Sequence, residues 1–569
     1  MTDSLVIQRS NQTFTQARSV VQDVFEHRLP DNNFGRYAGD EVKFNNINGV
    51  STYENPLQIS ESDIIIPYMV LLESDATLGD IELVKQAVSL KGNLSIVSGS
   101  KYILDNNTLV DYTDNSEILN NFTLLNTMSE QDVITKGPGL NFKKDTNGFE
   151  YDDVLGETNN YRRTATGTVV GNKGAYNRML QNANVEVSAG NSFRTNKHYI
   201  QNEVSHVEKV TGTNNYIFHF YVRIPLKHLN ELYSKMPLLR GAVQEMYLQI
   251  HTATTNISYD SDGNADTFTV STTHGSTPYM IADGAWFLKV NAPASGSTPA
   301  TYHPAVLKIS SGIAKVIAQN GTTYSHHKTN CELIAKMYKL DPELEKGFFN
   351  NPVQTIPYKK HLVARKIGIK AGDSFNFEVT GNIHKMRDLL VLPIISSTVN
   401  GLASTSLNSP TPSKVTFSPL ESPHTSCGAT CGPYAAITDY QLLISHQPYY
   451  KQPKKLSRDM FDEIKRLGMS GGMDMGFSNQ LLSQKDYDTT HGFLYTDLTR
   501  TNSEIEYIST RSLTIQGKNN TPYTMDLICY LGYGARISID TSISKIVIES
   551  PQDKDELDEA NHQAMIKAL

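Results

Sequence analysis

The chain has 569 residues and a formal net charge of −8, and 39% of its residues are hydrophobic. That length allows a large buried interior and favours two or more domains. The modest negative charge argues against a protein that condenses nucleic acid, which would carry a basic balance or a basic arm. Its four cysteines are too few for a disulfide scaffold and fit synthesis in a reducing compartment: Cys331, Cys427, Cys431 and Cys529.

Residues 1–45 are mixed and polar, and we predict that they form an N-terminal arm rather than a domain. The first residues show no basic start followed by an apolar block, so we expect no export signal. No apolar run approaches the roughly 20 residues that a membrane-spanning helix needs. These features predict a soluble protein.

Strand signals begin at "DIIIPYMVLL" and continue through "AVSLKGNLSIV" and "SKYILDN". Each is a short apolar or β-branched run bounded by Gly, Asp or Asn, which is typical of strands. Pro67 interrupts the first run. Because proline cannot donate a ladder hydrogen bond, it predicts an edge strand or a bulge there.

The next ordered stretch is "YIFHFYVRIPLKHLNELYSKMPLLRGAVQEMYLQI". It predicts a strand, then one short amphipathic helix that begins at Pro225 and ends before Pro237. The helix places three leucines on one face: Leu226, Leu229 and Leu232. In the last part apolar and polar residues alternate, which predicts a half-buried strand with Met246, Leu248 and Ile250 facing inward.

Residues 251–330 are rich in Thr, Ser, Gly and Asn, with a few short β-like pieces such as "AWFLKV" and "PAVLKI", and we predict a long elaborated loop region at the surface. A strand at "CELIAKMYKL" follows, and "DPELEKGFFNNP" reads as a short helix and linker. We place the boundary between two domains there, with residues 46–350 in the first and 351–548 in the second.

The second half repeats this pattern of short strands around one short helix, "LSRDMFDEIKRLG". Ser457 is its expected N-cap, Phe461 and Ile464 lie on its apolar face, and Gly468 ends it. Residues 549–569 are acidic and predict an amphipathic tail, either a partner-binding helix or a frayed terminus.

Four motifs resemble functional sites, and each lacks part of what the chemistry needs. "GMSGG" has the letters of a serine-hydrolase elbow around Ser470, but a helix precedes it where a buried strand is required. "GTVVGNKG" lacks the Ser or Thr that follows the lysine of a phosphate loop. "HTSCGATCG" offers His424, Cys427 and Cys431, but a structural zinc site needs a fourth ligand. The two thiols could also form a reversible disulfide.

"DSDGNAD" carries oxygen ligands at alternate positions, as a calcium loop does: Asp260, Asp262, Asn264 and Asp266. Its glycine is not at the EF-hand position, and no glutamate follows where the bidentate ligand belongs. Asp262 and Gly263 between β-like segments equally predict a hairpin turn. Calcium binding therefore stays a weak candidate, and we predict no cofactor and no enzymatic activity.

The stretch "IPLKHLNELYSKMPLLRGAVQEMYLQI" resembles the strand–helix–strand signature of double jelly-roll major capsid proteins of virophages, Polinton-like viruses and adintoviruses. In these proteins a turn of the "PLxRG" type follows the helix, which corresponds here to Pro237, Arg240 and Gly241. Other pieces agree in order, including "MYKLDPELEKGFFNNP" between the halves and "YTDLTRTNSEIEYISTRSLTIQG" near the end. The resemblance extends from about Lys43 to Ile548, although residues 251–330 do not align.

The resemblance implies an all-β chain with two tandem jelly-roll β-sandwiches of about eight strands each and short inserted helices. It also implies a homotrimer, a pseudo-hexameric capsomer that tiles an icosahedral shell in the virion. The implied partners are neighbouring capsomers, penton proteins and minor capsid proteins, with no specific nucleic-acid binding. The alternative is a glycan-binding adhesin, since jelly rolls also occur in lectins.

Overall fold

The structure is a computed structural model, and it describes the following parts of the chain: 21–45, 47, 55–74, 88–142, 204–241, 243–260, 267–272, 277–281, 288–292, 301–304, 306–341, 353–383, 386–395, 404–406, 437–455, 459–462, 487, 493–498, 511–521, 524–540 and 545–550. Most of these residues are in β-strands, as the sequence predicts. Within them, no helix has the length and apolar character needed to cross a bilayer.

The strands of the first half are β1 (Val21–Pro30), β2 (Glu41–Phe44), β3 (Leu57–Ser74), β4 (Val88–Leu90), β5 (Val97–Leu104), β6 (Asn107–Val110), β7 (Val204–Lys209), β8 (Asn215–Pro225), β9 (Gln244–Ile250), β10 (Thr254–Asp260), β11 (Thr267–Thr272), β12 (Tyr279–Ile281), β13 (Leu288–Ala292), β14 (Thr301–Pro304), β15 (Val306–Ile313), β16 (Lys315–Ile317), β17 (Thr323–Ser325) and β18 (Glu332–Leu340). The strands of the second half are β19 (Val353–Ile369), β20 (Ser374–Ile383), β21 (Met386–Ile395), β22 (Ser404–Ser406), β23 (Ile437–Ile444), β24 (Gln447–Pro448), β25 (Leu494–Asp497), β26 (Arg511–Asn519), β27 (Met525–Asp540) and β28 (Lys545–Ser550).

All helices with described bounds lie in the first half and are short. The α-helices are α1 (Ser116–Thr127), α2 (Glu130–Thr135), α3 (Gly137–Leu140) and α4 (Glu231–Lys235). The 3₁₀-helices are Ala38–Asp40, Asn93–Ile96 and Leu226–His228. None of α1 to α3 is predicted from the sequence. In α2, Ser129 and Asp132 form a capping box, each side chain accepting a hydrogen bond from the other residue's backbone.

In the described residues each half is built on two large antiparallel sheets, and the first half also has three two-stranded sheets, β4–β12, β13–β14 and β16–β17. In the first half a nine-stranded sheet has the order β1-β18-β3-β15-β10-β11-β22, with β8 paired to β3 and β7 paired to β8. The opposing sheet has the order β2-β9-β5-β6. In the second half the sheets are β19-β27-β21-β25, with β28 paired to β27, and β20-β26-β23-β24. The short β22 comes from the second half of the chain but pairs with β11 of the first.

Two regions of the first half contribute more strands than the sequence indicates. Part of the predicted N-terminal arm forms strands, because β1 pairs with β18 and β2 with β9. The predicted loop at 251–330 contributes β10 and β15 to the large sheet, where β15 lies between β3 and β10. In β1 most side chains are exposed, so an edge strand of this kind carries almost no apolar alternation for a sequence to reveal.

Pro67 lies in a central strand and not at an edge. On one side of β3, Pro67 is opposite Tyr221 of β8. On the other side β18 pairs up to Ile65 and β15 pairs from Tyr68, so Pro67 lies where one partner ends and the next begins. Its carbonyl accepts a hydrogen bond from the Ala314 N–H at 2.8 Å on that side. The missing N–H therefore interrupts no ladder bond.

The inward-facing residues of the sheets form one connected apolar core that includes both halves. Strand β9 is an example: Met246, Leu248 and Ile250 are buried, while the two residues between them are not. This alternation is the one that the sequence predicts. A second, small apolar cluster lies on the other face of β3 and β8, where Met69, Leu71 and Ile217 pack against the β16–β17 hairpin.

Candidate assembly site

The segment from Pro225 to Gly241 differs from its prediction in one respect. Pro225 is the last residue of β8, and the single predicted helix is instead a 3₁₀ turn, Leu226–His228, followed by α4. Asn230 separates the two with extended backbone angles (φ −159°, ψ 146°). Its side-chain oxygen accepts a hydrogen bond from the Leu232 N–H at 2.9 Å. Asparagine side chains compete with helix hydrogen bonds in this way, which explains the break.

The three leucines of this segment are buried, as their spacing predicts. Leu226, Leu229 and Leu232 are 1%, 4% and 0% exposed. Tyr233 is also buried, and its ring meets that of Tyr102 edge to face at 5.5 Å between centroids. The segment therefore covers one end of the first sandwich.

The "PLLRG" turn fixes the return of the chain to β9. Leu239 and Leu57 exchange two backbone hydrogen bonds of 2.8 and 3.0 Å, so the turn is joined to the start of β3. Gly241 has a φ of +55°, a left-handed conformation that disfavours side chains with a Cβ. Pro237 follows Met236, whose extended backbone angles end α4. Arg240 is half-buried within this turn.

Helix α4 contacts the second half of the chain through polar groups. The Lys235 ammonium donates to the Pro357 carbonyl at 2.8 Å, and the Lys359 N–H donates to a Glu231 carboxylate oxygen at 3.1 Å. Glu231 and Lys235 also form an ion pair of 2.6 Å along the helix. These bonds join α4 to β19, the first strand of the second half.

Helix α1 makes a second contact, and this one is aromatic. The Phe122 ring lies edge to face with Phe493 at 4.9 Å and stacks with Tyr495 at 6.0 Å between centroids. At the start of α1, the Tyr530 hydroxyl donates to the Asn115 carbonyl at 2.9 Å. Arg365 of β19 donates to the Asn115 side chain at 3.2 Å. The two halves are thus joined by side chains far apart in the sequence.

A cavity of about 360 Å³ lies between these two contacts. Charged side chains and histidines from both halves line it: Asp111, Lys227, His228, Glu231, Lys359, His361 and Asp388. The Lys359 ammonium and the Asp388 carboxylate form an ion pair of 2.8 Å. Burial lowers the pKa of Lys359, but the attraction of Asp388 outweighs it and leaves the pKa raised.

The two histidines of the cavity are neutral at neutral pH. Burial lowers the pKa of His228 and of His361 to about 4, and nearby lysines add to the effect. A neutral imidazole avoids the cost of burying a second cation beside Lys359. The arrangement therefore holds one lysine–aspartate pair between two uncharged rings.

The structure describes only some of the other candidate residues from the sequence. Phe461 lies in a helical turn at 459–462 and is 2% exposed, packed against Tyr487 at 5.4 Å between ring centroids. Asp260 ends β10 opposite Thr267 of β11, so these strands form an antiparallel pair. The remaining candidates lie outside the described residues: Asp262, Asn264, Asp266, Cys427, Cys431, Ser457, Ile464, Ser470 and residues 167–174 and 551–569.

Two cysteines are described, and both are free and buried: Cys331 and Cys529. Burial raises the pKa of each thiol above its usual range. Because the thiolate is the reactive form, these two cysteines are chemically inert in the folded protein.

The sequence matches no protein-family model, and a comparison with curated proteins finds no match. Solved structures do match. A chain of the Sputnik virophage, studied by cryo-EM, is similar with a TM-score of 0.51 and 11% identity over 96% of this chain and 92% of that one. The protein is a double jelly roll. The two pairs of antiparallel sheets, one in each half, agree with that fold.

Two further double jelly rolls are similar over almost their full lengths. The mavirus major capsid protein has a TM-score of 0.49 and 9% identity, over 97% of this chain and 94% of that one. The Faustovirus major capsid protein has a TM-score of 0.41 and 9% identity, over 94% and 93%. Within the described residues, the large sheet of the first half is larger than a sandwich of about eight strands implies, because β7, β10 and β11 extend it and β22 from the second half pairs with β11.

Proposed function

We propose that this double jelly roll is the major capsid protein of a virus and acts as a structural protein without an enzymatic reaction. The observation that carries the proposal is the likeness to the Sputnik virophage chain, which extends over 96% of this chain and 92% of that one. A likeness over nearly the whole of both chains supports a shared architecture. A likeness confined to one segment would support no more than a shared site.

In the proposed assembly three chains form a capsomer. Three double jelly rolls contribute six sandwiches around a threefold axis, which gives a pseudo-hexagonal block able to tile an icosahedral shell. A threefold closure uses heterologous contacts, in which one surface of each chain meets a different surface of the next. The contacts of α1 and α4 with the second half support this proposal, because a tile needs its two sandwiches held together.

The segment from Pro225 to Gly241 has a defined role in this proposal. Its buried leucines fix the end of the first sandwich, while Lys235 and Glu231 join that end to β19. We expect Phe461 and Ile464 to serve the second sandwich in the same way. The proposed partners are neighbouring capsomers, penton proteins and minor capsid proteins in the virion capsid, assembled inside the host cell.

Negative-stain electron microscopy of the purified chain tests the proposal. We expect compact particles with a pseudo-hexagonal outline and threefold symmetry in class averages. Two-lobed particles of single chains at micromolar concentration would contradict it. If such monomers also bound glycans in a calcium-dependent way that Asp260→Asn and Asp262→Asn abolish, the adhesin alternative would replace it.

A further inference from the structure

A cluster of three histidines and one glutamate lies on the outer face of the large sheet, away from the contact between the halves. Glu208 is on β7, His219 on β8, and His326 and His327 follow β17. On β8, His219 lies on the same face as Ile217, which packs against the β16–β17 hairpin. The hairpin therefore brings its two following histidines over the sheet.

Three of these residues have the geometry of a metal-binding set. The ligand atoms of Glu208, His219 and His327 all lie within 4.8 Å of one another. The His219 Nε2 and a Glu208 carboxylate oxygen are 3.3 Å apart. Two ligands of a tetrahedral metal with bonds of about 2.0–2.2 Å are separated by roughly 3.4 Å, so this pair already has the required spacing.

A side-chain rotation of His327 would complete the set. Its ring stacks on His219 with 4.8 Å between centroids and an angle of 18° between planes. In that position the two ring planes are nearly parallel, so we infer that coordination of one ion requires the His327 ring to turn toward Glu208. His327 is exposed after the hairpin, so solvent leaves room for a change of rotamer.

His326 holds the buried member of the set in place. Its Nδ1 accepts a hydrogen bond from the Lys328 N–H at 3.0 Å. Its ring meets His219 at 5.1 Å and Tyr221 at 4.7 Å, both edge to face. Because His219 is 1% exposed and enclosed by these rings, its orientation toward Glu208 is fixed in advance.

We propose that Glu208, His219 and His327 bind one divalent transition-metal ion, with zinc as the best fit, and that the metal fastens the β16–β17 hairpin to β7 and β8. Two imidazoles and a carboxylate form a ligand set suited to zinc, with water in the fourth position. Magnesium and calcium prefer sets made entirely of oxygen atoms, so neither should compete. The proposal does not depend on the capsid function.

Isothermal titration of the full chain with zinc chloride tests the proposal. The parent should carry Cys427→Ser and Cys431→Ser, so that binding to these thiols does not contribute. We expect one zinc ion per chain and a higher melting temperature with zinc but not with magnesium. Cobalt should give the visible absorption bands of a tetrahedral site.

Two variants and two matched controls identify the ligands. His327→Gln and Glu208→Gln change exposed side chains and should leave the fold intact, but each should weaken zinc binding by at least about tenfold. His27→Gln and Glu378→Gln change an exposed histidine and an exposed glutamate elsewhere and should bind zinc like the parent. Equal zinc affinity in all five proteins, or no zinc binding by the parent, would overturn the proposal.

Discussion

The two contacts between the jelly rolls use different chemistry. Helix α1 inserts an aromatic ring, Phe122, between Phe493 and Tyr495 of the second half. Helix α4 instead offers charged groups, Glu231 and Lys235, to the backbone of β19. The cavity between them contains the Lys359–Asp388 ion pair and two neutral histidines.

This difference assigns separate roles to the two contacts. Aromatic burial contributes most of the free energy, because a large apolar side chain leaves water and gains ring contacts. Exposed or half-exposed ion pairs contribute little free energy but fix direction. The aromatic contact should therefore hold the halves together, and the polar contact should set their orientation and their response to pH.

The largest effect on stability should come from burying a charge at Leu229, which lies just before α4. Leu229→Asp introduces a carboxylate at an apolar site that is 4% exposed, so the charge loses its hydration. We expect it to lower the free energy of unfolding by about 4 kcal/mol or more, or to prevent folding. Chemical denaturation followed by circular dichroism measures the change.

Leu307→Asp is the matched control, since it makes the same substitution at a leucine of β15 that is 43% exposed. It should change stability by less than about 0.5 kcal/mol. Equal stability of Leu229→Asp and the parent would contradict the burial of this face.

Removing the aromatic contact should have the next largest effect. Phe122→Ala deletes a ring that is 3% exposed and should lower the free energy of unfolding by about 3 kcal/mol. Phe34→Ala, at a site that is 72% exposed, is the control and should change little. If both substitutions had the same small effect, the aromatic contact would not be the stabilising one.

The polar contact should make stability depend on pH. The pKa of His228 and of His361 is lowered from 6.5 to about 4, so between these values the unfolded chain binds protons that the folded chain does not. Stability is therefore complete above about pH 6.5 and falls as pH decreases toward 4. Because both side chains are partly exposed, we expect a combined loss of roughly 2 kcal/mol.

The double variant His228→Gln, His361→Gln should flatten this part of the stability curve, whereas Phe122→Ala should shift the curve down without changing its slope. Urea denaturation at a series of pH values measures both. Parallel curves for the double variant and the parent would show that these two histidines do not cause the pH dependence of stability.

The smallest effect should come from the ion pair on α4. Glu231→Gln keeps an oxygen that can accept from the Lys359 N–H but removes the charge that pairs with Lys235. We expect a loss of about 0.5 kcal/mol. A double-mutant cycle with Lys235→Met isolates the coupling energy, and a coupling as large as the effect of Phe122→Ala would reverse the roles of the two contacts.

The features of the fold that the sequence predicts are those whose signal lies within one short segment. The alternation in β9 and the leucine spacing after Pro225 are local, and both give the observed buried faces. The break at Asn230 is also local: an asparagine within a short predicted helix is a signal for a cap, and it could have divided the segment correctly.

Helix α1 is harder to predict because it contains several Asn and Thr residues, which favour turns and caps over helix interiors. The i, i+4 spacing of Ile118 and Phe122 is the signal that could have revealed it. Its partner Phe493 is more than 370 residues away in the sequence, and no local pattern connects them. The β-like piece "PAVLKI" marks the start of β15, but its place between β3 and β10 depends on tertiary pairing that no local pattern reveals.

The oligomeric mass of the purified chain is the most direct test of the capsid proposal. One chain has a mass of 63.3 kDa, so a trimer has three times that value, about 190 kDa. We predict that size-exclusion chromatography with light scattering gives a single species of about 190 kDa at micromolar concentration. A stable species of 63.3 kDa under the same conditions would contradict the account.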